Sequence, residues 1–239
     1  MFAHCFTCSK DTKAAAYVAQ ALAEEGYGVL RFDFTGLGGS GGDFSNTHFS
    51  SNVDDLVAAA DWLRANHGPA TLLIGHSLGG AAVLAAATRI ADARAVATLG
   101  APFDPAHVTH QFGASLASIE ADGQAQVNLG GRPFTIRRSF VDDVNGQAQA
   151  QRIRELRRPL LILHAPGDSV VDMDNARRIF EAALHPKSFV ALDGADHLLT
   201  RASDARFAAR LIAAWASRYL PLAAPASQDE ARPSSSAIT

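Results

Sequence analysis

Apolar positions recur along the chain with two different periods. Short continuous apolar runs such as TLLI, PLLIL and SFVAL alternate with longer segments in which apolar residues return every three to four positions. A short apolar run is typical of a strand buried on both faces, and the longer period is typical of a helix with one buried side. The alternation predicts an α/β fold with a mostly parallel sheet and helices on both of its faces.

Six strands and the helices between them follow from this pattern. The strands are expected at about 1–6, 27–34, 70–74, 95–99, 159–163 and 188–192. The helices are expected at about 9–25, 50–66, 78–91, 174–184 and 204–219. Between the second strand and the second helix, TGLGGSGGD is too rich in glycine for a regular element and is predicted to be a loop.

The alternation is interrupted between about residues 101 and 150. Inside this insertion, GQAQVNLGGRPFTIRR consists of two period-2 segments joined at Gly130-Gly131, which is typical of a hairpin. Because so long an excursion from a sheet is usually a lid or a binding element, we expect residues 1–220 to form one domain with 101–150 as its cap. Residues 221–239 are poor in bulky apolar side chains and are predicted to be a disordered tail or linker.

Composition narrows the class of protein. The 239 residues are 48% hydrophobic and 19% charged, with a net charge of −3, so the chain can bury a large core and has no basic field that would attract nucleic acid. No apolar run approaches the roughly 18 residues of a membrane span, and no secretory signal pattern begins the chain. We therefore expect a cytoplasmic protein that binds neither nucleic acid nor a membrane.

The strongest motif is G-x-S-x-G in LLIGHSLGGAA, with Ser77 at its centre. An apolar strand precedes the motif and an alanine-rich helix follows it, which is the setting of a nucleophile elbow. The sharp turn exposes the serine hydroxyl at the end of the strand. A bare G-x-S-x-G also occurs by chance as a turn of small residues, but its position here indicates a catalytic serine.

A serine hydroxyl needs a base to become a good nucleophile, and nine histidines compete for that role. His197, in LDGADHLL, directly follows the last predicted strand and so reaches the same sheet edge as Ser77. His76 is expected to be turned away by the elbow, His164 ends a buried strand, and His4 lies on the side expected to bind the oxyanion. We therefore predict His197 as the base.

The acid that orients the base is expected after the penultimate strand, where HAPGDSVV contains Asp168. Asp172 and Asp174 are rivals that are better placed to begin the next helix. Asp196 is adjacent to His197 and would point away from it in an extended loop.

The order Ser77, Asp168, His197 resembles that of the α/β-hydrolase superfamily, and the resemblance covers residues 1–220. RFDFTGLGGSGG is similar to the loop after the fourth strand of that family, with Asp33 in a structural role. A narrower resemblance is to the hydrolase half of bacterial proteins in which such a domain is fused to a C-terminal OsmC-like domain, a thiol peroxidase fold. It rests on three segments: FAHCFTCSKD, RFDFTGLGGSGGDFSNTHFSSNVDDL and HPKSFVALDGADHLL. The resemblance implies a serine esterase, whose acyl-transfer mechanism needs no cofactor. A metal is not expected, because a structural zinc requires four ligands and the sequence has no second Cys/His pair at zinc-finger spacing.

The resemblance also gives a register for the oxyanion hole. His4 to Ser9, HCFTCS, is similar to the H-G-F-T-G-S segment of many members, with Cys5 and Cys8 in place of the glycines. It implies that the backbone N–H groups of Phe6 and Leu78 bind the oxyanion, and it favours the two cysteines as small side chains that pack beside this loop. A Cys5–Cys8 disulfide or redox role and, less favoured, a metal site stay open as alternatives.

Family members usually begin with two more strands than this sequence has before HCFTCS. The predicted strand Tyr27–Phe34 would then form the edge of the sheet, with Val29, Leu30 and Phe32 underprotected. An apolar edge invites pairing with another chain, so we expect a homodimer near this edge.

The function expected from these residues is hydrolysis of a small carboxylic ester through an acyl-enzyme, with short to medium acyl chains favoured by the size of the cap. Apolar residues of the cap are candidates to line the acyl pocket, although each could simply pack the cap onto the sheet: Phe103, Phe112, Leu116, Phe134 and Phe140. Two alternatives remain. The same residues could cleave a peptide, thioester or lactone or perform perhydrolysis, or the domain could be a non-catalytic partner of an OsmC-like peroxidase.

Overall fold

A five-stranded parallel sheet organises the part of the chain that the computed structural model describes, residues 1–220. The predicted tail, 221–239, lies outside the described residues. The strands are β1 (Phe2–Ala3), β2 (Leu72–His76), β3 (Ala95–Leu99), β4 (Gln124–Leu129), β5 (Arg132–Arg137), β6 (Leu160–His164) and β7 (Lys187–Ala191). The helices are α1 (Lys13–Glu24), α2 (Phe49–Asn66), α3 (Leu78–Ala86), α4 (Leu116–Asp122), α5 (Arg138–Asn145), α6 (Gln149–Glu155), α7 (Asp174–Ala182) and α8 (Ala202–Ala216).

The strand order in the main sheet is β1-β2-β3-β6-β7, and every neighbouring pair is parallel. Successive side chains of its strands point into two separate apolar clusters. Leu73, Val96 and Ile162 face the cluster formed with α2, α3 and α7, whereas Leu72 and Leu161 face the cluster formed with α1 and α8. The continuous apolar runs of the sequence are therefore strands covered by helices on both faces.

The insertion leaves the sheet after β3 and returns to it at β6. It contains a 3-10 helix (Pro105–Ser115), α4, the antiparallel hairpin β4–β5 with its turn at Gly130-Gly131, α5 and α6. It packs against the segment that follows the glycine-rich loop: the ring of Phe44 lies edge-on to Phe134 at 5.0 Å, and the N–H of Ser50 donates to Asp143.

The predicted strand Tyr27–Phe34 is not a strand, so the main sheet has five strands and not six. This segment lies beside β1 but makes a single parallel bridge, Phe2 to Arg31, supported by a hydrogen bond from Phe2 N–H to Leu30 O. Because β1 ends after two residues, it offers too few backbone groups for a longer ladder. Val29, Leu30 and Phe32 are half-buried on the two apolar clusters. The homodimer at this edge stays a prediction.

None of the helices within residues 1–220 combines the length and the apolar character that a membrane span requires.

Candidate active site

Ser77 occupies a strained turn between β2 and α3. Its backbone has φ 54° and ψ −126°, a conformation that a side chain with a Cβ rarely adopts. Hydrogen bonds hold it from both sides: its N–H donates to Leu99 O at 2.8 Å, and its carbonyl accepts from Gly80 N–H at 2.8 Å. The turn therefore has the geometry of the nucleophile elbow that the motif predicts.

Gly75 and Gly79 of the motif lie where two backbone segments come too close for a side chain. A Cβ built on Gly75 would lie 2.2 Å from the carbonyl oxygen of Gly79, and one built on Gly79 would lie 2.4 Å from the carbonyl oxygen of His4. Real side chains do not tolerate such distances. Glycine at these two positions therefore lets α3 begin directly against β2 and against the segment after β1.

Three side chains from different loops meet beyond the carboxyl ends of the strands. His197, after β7, places Nε2 2.9 Å from Ser77 Oγ, and its Nδ1 lies 2.7 Å from Oδ2 of Asp168, which follows β6. Nδ1–H donates to the carboxylate, so Nε2 is left to accept the serine proton. This chain of hydrogen bonds can remove a proton from Ser77 as its oxygen attacks a carbonyl carbon.

Asp168 is buried, yet its carboxylate stays ionised. Burial by itself would raise its pKa, but hydrogen bonds from His197 and from the N–H groups of Val171 and Val170 outweigh that effect and lower the pKa below its ordinary value. Both oxygens are thereby used, one for the loop backbone and one for the imidazole. The carboxylate can therefore hold His197 in one orientation and stabilise its protonated form.

The rival carboxylates have other partners. Asp172 accepts from the N–H of Asp174 at 2.8 Å at the start of α7, and Asp196 accepts from the N–H of Thr200 in the loop that carries His197. The structure thus brings Asp168, and not these neighbours, to His197.

Two buried histidines support the site, and neither was predicted to have a role in it. His76 Nε2 donates to the carbonyl oxygen of His197 at 2.7 Å, and His164 Nε2 donates to the carbonyl oxygen of Val171 at 2.8 Å. They hold the loops that carry His197 and Asp168. The sequence did contain a signal for these roles, because both histidines end a predicted strand and the carboxyl ends of parallel strands meet at one edge of the sheet. Burial and the nearby ring of His197 lower the pKa of His76 to about 4, so His76 is neutral at pH 7.

The segment His4 to Ser9 turns sharply beside Ser77. The N–H of Cys8 donates to Cys5 O at 3.2 Å, and Thr7 has a positive φ of 55°. Within residues 1–220, the N–H groups of Phe6 and Leu78 donate to no protein acceptor. Leu78 is the first residue of α3, where N–H groups have no partner inside the helix. Both donors are therefore available to a ligand.

Cys5 and Cys8 form a disulfide, so the interpretation favoured from the sequence, two unpaired cysteines, is corrected. The turn brings their Cα atoms to 5.3 Å, within the range that a disulfide spans. The bond closes a ring around Phe6 and Thr7. Because disulfides are rare in reducing compartments, it weighs against the expected cytoplasmic location, which stays a prediction.

A cleft of about 820 Å³ opens above Ser77. It lies between the disulfide turn, the turn of the β4–β5 hairpin and the loop of His197. Its lining is partly apolar and partly polar: Cys5, Phe6, Thr7, Cys8, Ser9, Asp11, Thr12, Ser77, Gln111, Asn128, Leu129, Gly130, Arg132, Val170, His197 and Leu198.

The five cap residues predicted to bind the acyl chain do not line this cleft, so that prediction is corrected: Phe103, Phe112, Leu116, Phe134 and Phe140. Phe112 and Phe140 are buried and pack against the ring of Phe6, with centroids 6.5 and 5.4 Å away. Phe103 lies under the guanidinium of Arg178. All five pack against the larger apolar cluster, Phe112 and Phe140 buried and the other three partly buried, and this packing attaches the insertion to the sheet. The cap residues that reach the cleft belong instead to the hairpin turn and the 3-10 helix.

Comparison with known proteins gives a consistent classification. A sequence profile of the family described as serine aminopeptidase S33 matches residues 8–129. The crystal structure of the esterase domain of a Rhodothermus marinus protein is 47% identical, with a TM-score of 0.72, over 91% of this chain and 85% of that one. The monoacylglycerol lipase of Paleococcus ferrophilus has a TM-score of 0.71 at 20% identity, over 92% of this chain and 93% of that one. The predicted fold class is confirmed.

Among curated sequences, a Mycobacterium tuberculosis protein is 30% identical over 190 residues, which is 78% of this chain and 59% of that protein. The chain thus spans about three fifths of the length of this relative.

Proposed function

This chain belongs to the serine aminopeptidase S33 family of α/β-hydrolases, and we propose that it hydrolyses carboxylic esters through an acyl-enzyme formed on Ser77. The observation that carries the proposal is the hydrogen-bonded series from Ser77 Oγ through His197 to Asp168, set on a nucleophile elbow. The 47% identity to a structure described as an esterase domain supports an ester over another acyl substrate.

In the proposed reaction, Ser77 Oγ attacks the ester carbonyl while its proton passes to Nε2 of His197. Asp168 stabilises the resulting imidazolium. Collapse of the tetrahedral intermediate breaks the bond to the alcohol, which leaves with the proton from His197. Water then attacks the acyl-serine with His197 again as base, and the acid product leaves the free serine behind.

The oxyanion of each tetrahedral intermediate would accept hydrogen bonds from the N–H groups of Phe6 and Leu78. Their freedom from protein acceptors supports this role. Each such donor contributes roughly 3 kcal/mol to the stability of the transition state. The disulfide around Phe6 and the helix start at Leu78 fix these groups before substrate binds.

The acyl chain is proposed to be short to medium in length. The lining of the cleft includes the apolar side chains of Leu129, Val170 and Leu198, but also several polar groups. A long apolar chain would bring buried methylenes against these polar groups and would leave their hydrogen bonds unmade.

Hydrolysis of p-nitrophenyl esters from acetate to palmitate tests the proposal, with Ser77→Ala as the active-site variant and Ser139→Ala, an exposed serine on α5, as its control. We expect activity in the wild type and the control, an optimum below about eight acyl carbons, and none in Ser77→Ala. A serine-directed phosphonate should label the same two active proteins.

The outcomes separate the alternatives. Equal activity in Ser77→Ala would remove Ser77 as nucleophile. Labelling by the phosphonate without ester hydrolysis would favour another acyl substrate, which a panel of aminoacyl p-nitroanilides, thioesters and lactones would identify. The absence of both labelling and hydrolysis would favour a binding module such as a partner of an OsmC-like peroxidase.

A further inference from the structure

Arg132 brings a positive charge to the wall of the cleft above Ser77. It follows the turn of the β4–β5 hairpin, its guanidinium donates a hydrogen bond to the carbonyl oxygen of Thr7, and it lies 5.3 Å from the centroid of the Phe134 ring. These two contacts hold the guanidinium next to Phe6, the residue that carries a proposed oxyanion donor.

The charge of Arg132 is uncompensated. Within residues 1–220, no carboxylate forms an ion pair with it. Among the residues that line the cleft, Asp11 carries the carboxylate, and this group lies 2.5 Å from Lys10 Nζ and 3.6 Å from Arg31. The cleft therefore presents one positive charge that the protein itself does not neutralise.

The bond to Thr7 leaves most of the guanidinium available. A guanidinium has five N–H donors in a planar fork, and the protein uses one of them here. Such a fork binds the two oxygens of a carboxylate or phosphate side by side, which an ammonium cannot do.

We propose that Arg132 determines specificity by binding an anionic group of the ester substrate, a carboxylate or a phosphate, while Ser77 attacks the carbonyl. This inference rests on the proposed ester hydrolysis. Leu129, Val170 and Leu198 line the same cleft as Ser77 and Arg132. They would contact the short apolar part of the substrate between its ester and its anionic group.

Two matched substrate pairs test the proposal. Monomethyl glutarate and dimethyl glutarate differ by a carboxylate on the acyl side, and 1-butyrylglycerol 3-phosphate and 1-butyrylglycerol differ by a phosphate on the alcohol side. The measured quantity is the ratio of kcat/KM for the anionic member to that for the neutral member. The proteins compared are the wild type, Arg132→Gln, Arg132→Lys and Arg138→Gln. Arg138 is exposed on α5 outside the cleft, so its replacement removes the same charge from the surface.

In at least one pair we expect the wild type to prefer the anion on the order of tenfold, the effect of one charge-assisted contact. Arg132→Gln should bring the ratio close to one, Arg132→Lys should give an intermediate ratio, and Arg138→Gln should keep the wild-type ratio. A merely structural role of Arg132 would change both members of a pair together and leave their ratio unchanged. The pair that shows the preference identifies the source of the anion.

Three outcomes would overturn the subsite. The first is a wild-type preference ratio near one in both substrate pairs. The second is a ratio in Arg132→Gln that equals the wild-type ratio. The third is a fall of the ratio in Arg138→Gln as large as the fall in Arg132→Gln. In each of these cases ester hydrolysis itself survives, provided that it depends on Ser77. If the wild type hydrolyses no member of either pair and no p-nitrophenyl ester, the subsite and the ester hydrolase are overturned together.

Discussion

His76 and His197 are joined by a hydrogen bond of 2.7 Å from Nε2 of the first to the carbonyl oxygen of the second, and their rings lie 5.2 Å apart. His76 is the last residue of β2 and precedes Ser77 directly. The bond therefore ties the loop that carries the proposed base to the strand end that carries the proposed nucleophile. His76 does not line the cleft, so it would affect catalysis by positioning His197 and not by contacting substrate.

Replacing His76 by Phe keeps a ring in the buried site but removes the donor. We expect kcat to fall by about 10- to 100-fold, because a small displacement of His197 relative to Ser77 suffices for such a loss. KM should change little. His76→Asn, whose amide can still donate, should recover part of kcat. The matched control is His67→Phe, a substitution of an exposed histidine after α2. An unchanged kcat in His76→Phe would show that the bond does not position the base.

The buried His76 also predicts how stability depends on pH. Its pKa falls from 6.5 to about 4 on folding, chiefly through burial, so the unfolded chain binds the proton more tightly than the folded one. The free energy of unfolding is therefore independent of the protonation of this residue above pH 6.5, where His76 is neutral in both states. Below pH 6.5 the free energy of unfolding decreases, and the decrease continues until the pH reaches about 4. The loss amounts to about 3 kcal/mol for a shift of this size. Urea unfolding at pH 4.5 and 7 should show a smaller pH dependence for His76→Phe than for the wild type. If the two proteins lost the same free energy of unfolding between pH 7 and 4.5, groups other than His76 would account for the pH dependence.

The sheet and the three residues of the Ser77 site could be predicted because their signals are local. Continuous apolar runs identify β2, β3 and β6, and Ser77, Asp168 and His197 each follow a predicted strand closely. Once the strands are parallel, their carboxyl ends meet at one edge. No long-range information is needed for that step, which is why the geometry of the site agrees with the expectation.

The remaining features depend on tertiary packing. A phenylalanine such as Phe112 or Phe140 can fill a core or line a pocket, and its hydrophobicity is the same in both cases. The C-x-x-C spacing allows a disulfide but does not require one, because pairing depends on the turn that brings Cys5 to Cys8. Likewise, nothing local indicates that Arg132 reaches the loop of Thr7 across the cleft. These outcomes depend on how the insertion folds over the sheet.

The Cys5–Cys8 disulfide should stabilise both the fold and the turn at Phe6, whose N–H is a proposed oxyanion donor. Closing so short a ring contributes about 2 kcal/mol through the unfolded state. We expect dithiothreitol to lower the free energy of unfolding by this amount and to lower kcat roughly tenfold, because the N–H of Phe6 is then less well fixed. The double variant Cys5→Ser, Cys8→Ser should behave like the reduced protein. Dithiothreitol should change neither the free energy of unfolding nor kcat of this double variant. A change in either would show that dithiothreitol does not act through the Cys5–Cys8 bond.

Gly79 should tolerate no side chain. Its added Cβ would lie 2.4 Å from the carbonyl oxygen of His4, a backbone atom that cannot move away without shifting the turn between Cys5 and Cys8. We expect Gly79→Ala to destabilise the protein by roughly 2 kcal/mol or more, in the range of overpacked cores. Gly41→Ala is the control, because nothing lies within 4 Å of a Cβ there. Thermal unfolding compares the two, and equal melting temperatures would contradict the close approach of α3.

The choice among the carboxylates can be tested by a pair of single-atom changes. Asp168→Asn keeps the shape of the side chain but removes the charge proposed to orient His197 and to stabilise it when protonated. We therefore expect kcat to fall by about 10⁴-fold, the loss known for this change in established serine hydrolase triads. Asp172→Asn makes the same change four residues away, where the carboxylate accepts from Asp174 N–H and touches neither His197 nor Ser77. It should keep kcat within about threefold of the wild type, in line with a surface substitution. Because both variants change one oxygen to an amide nitrogen, a difference between them isolates the contact with His197. If Asp172→Asn were the inactive protein, the orienting acid would be Asp172 and the loop after β6 would have to rearrange when substrate binds.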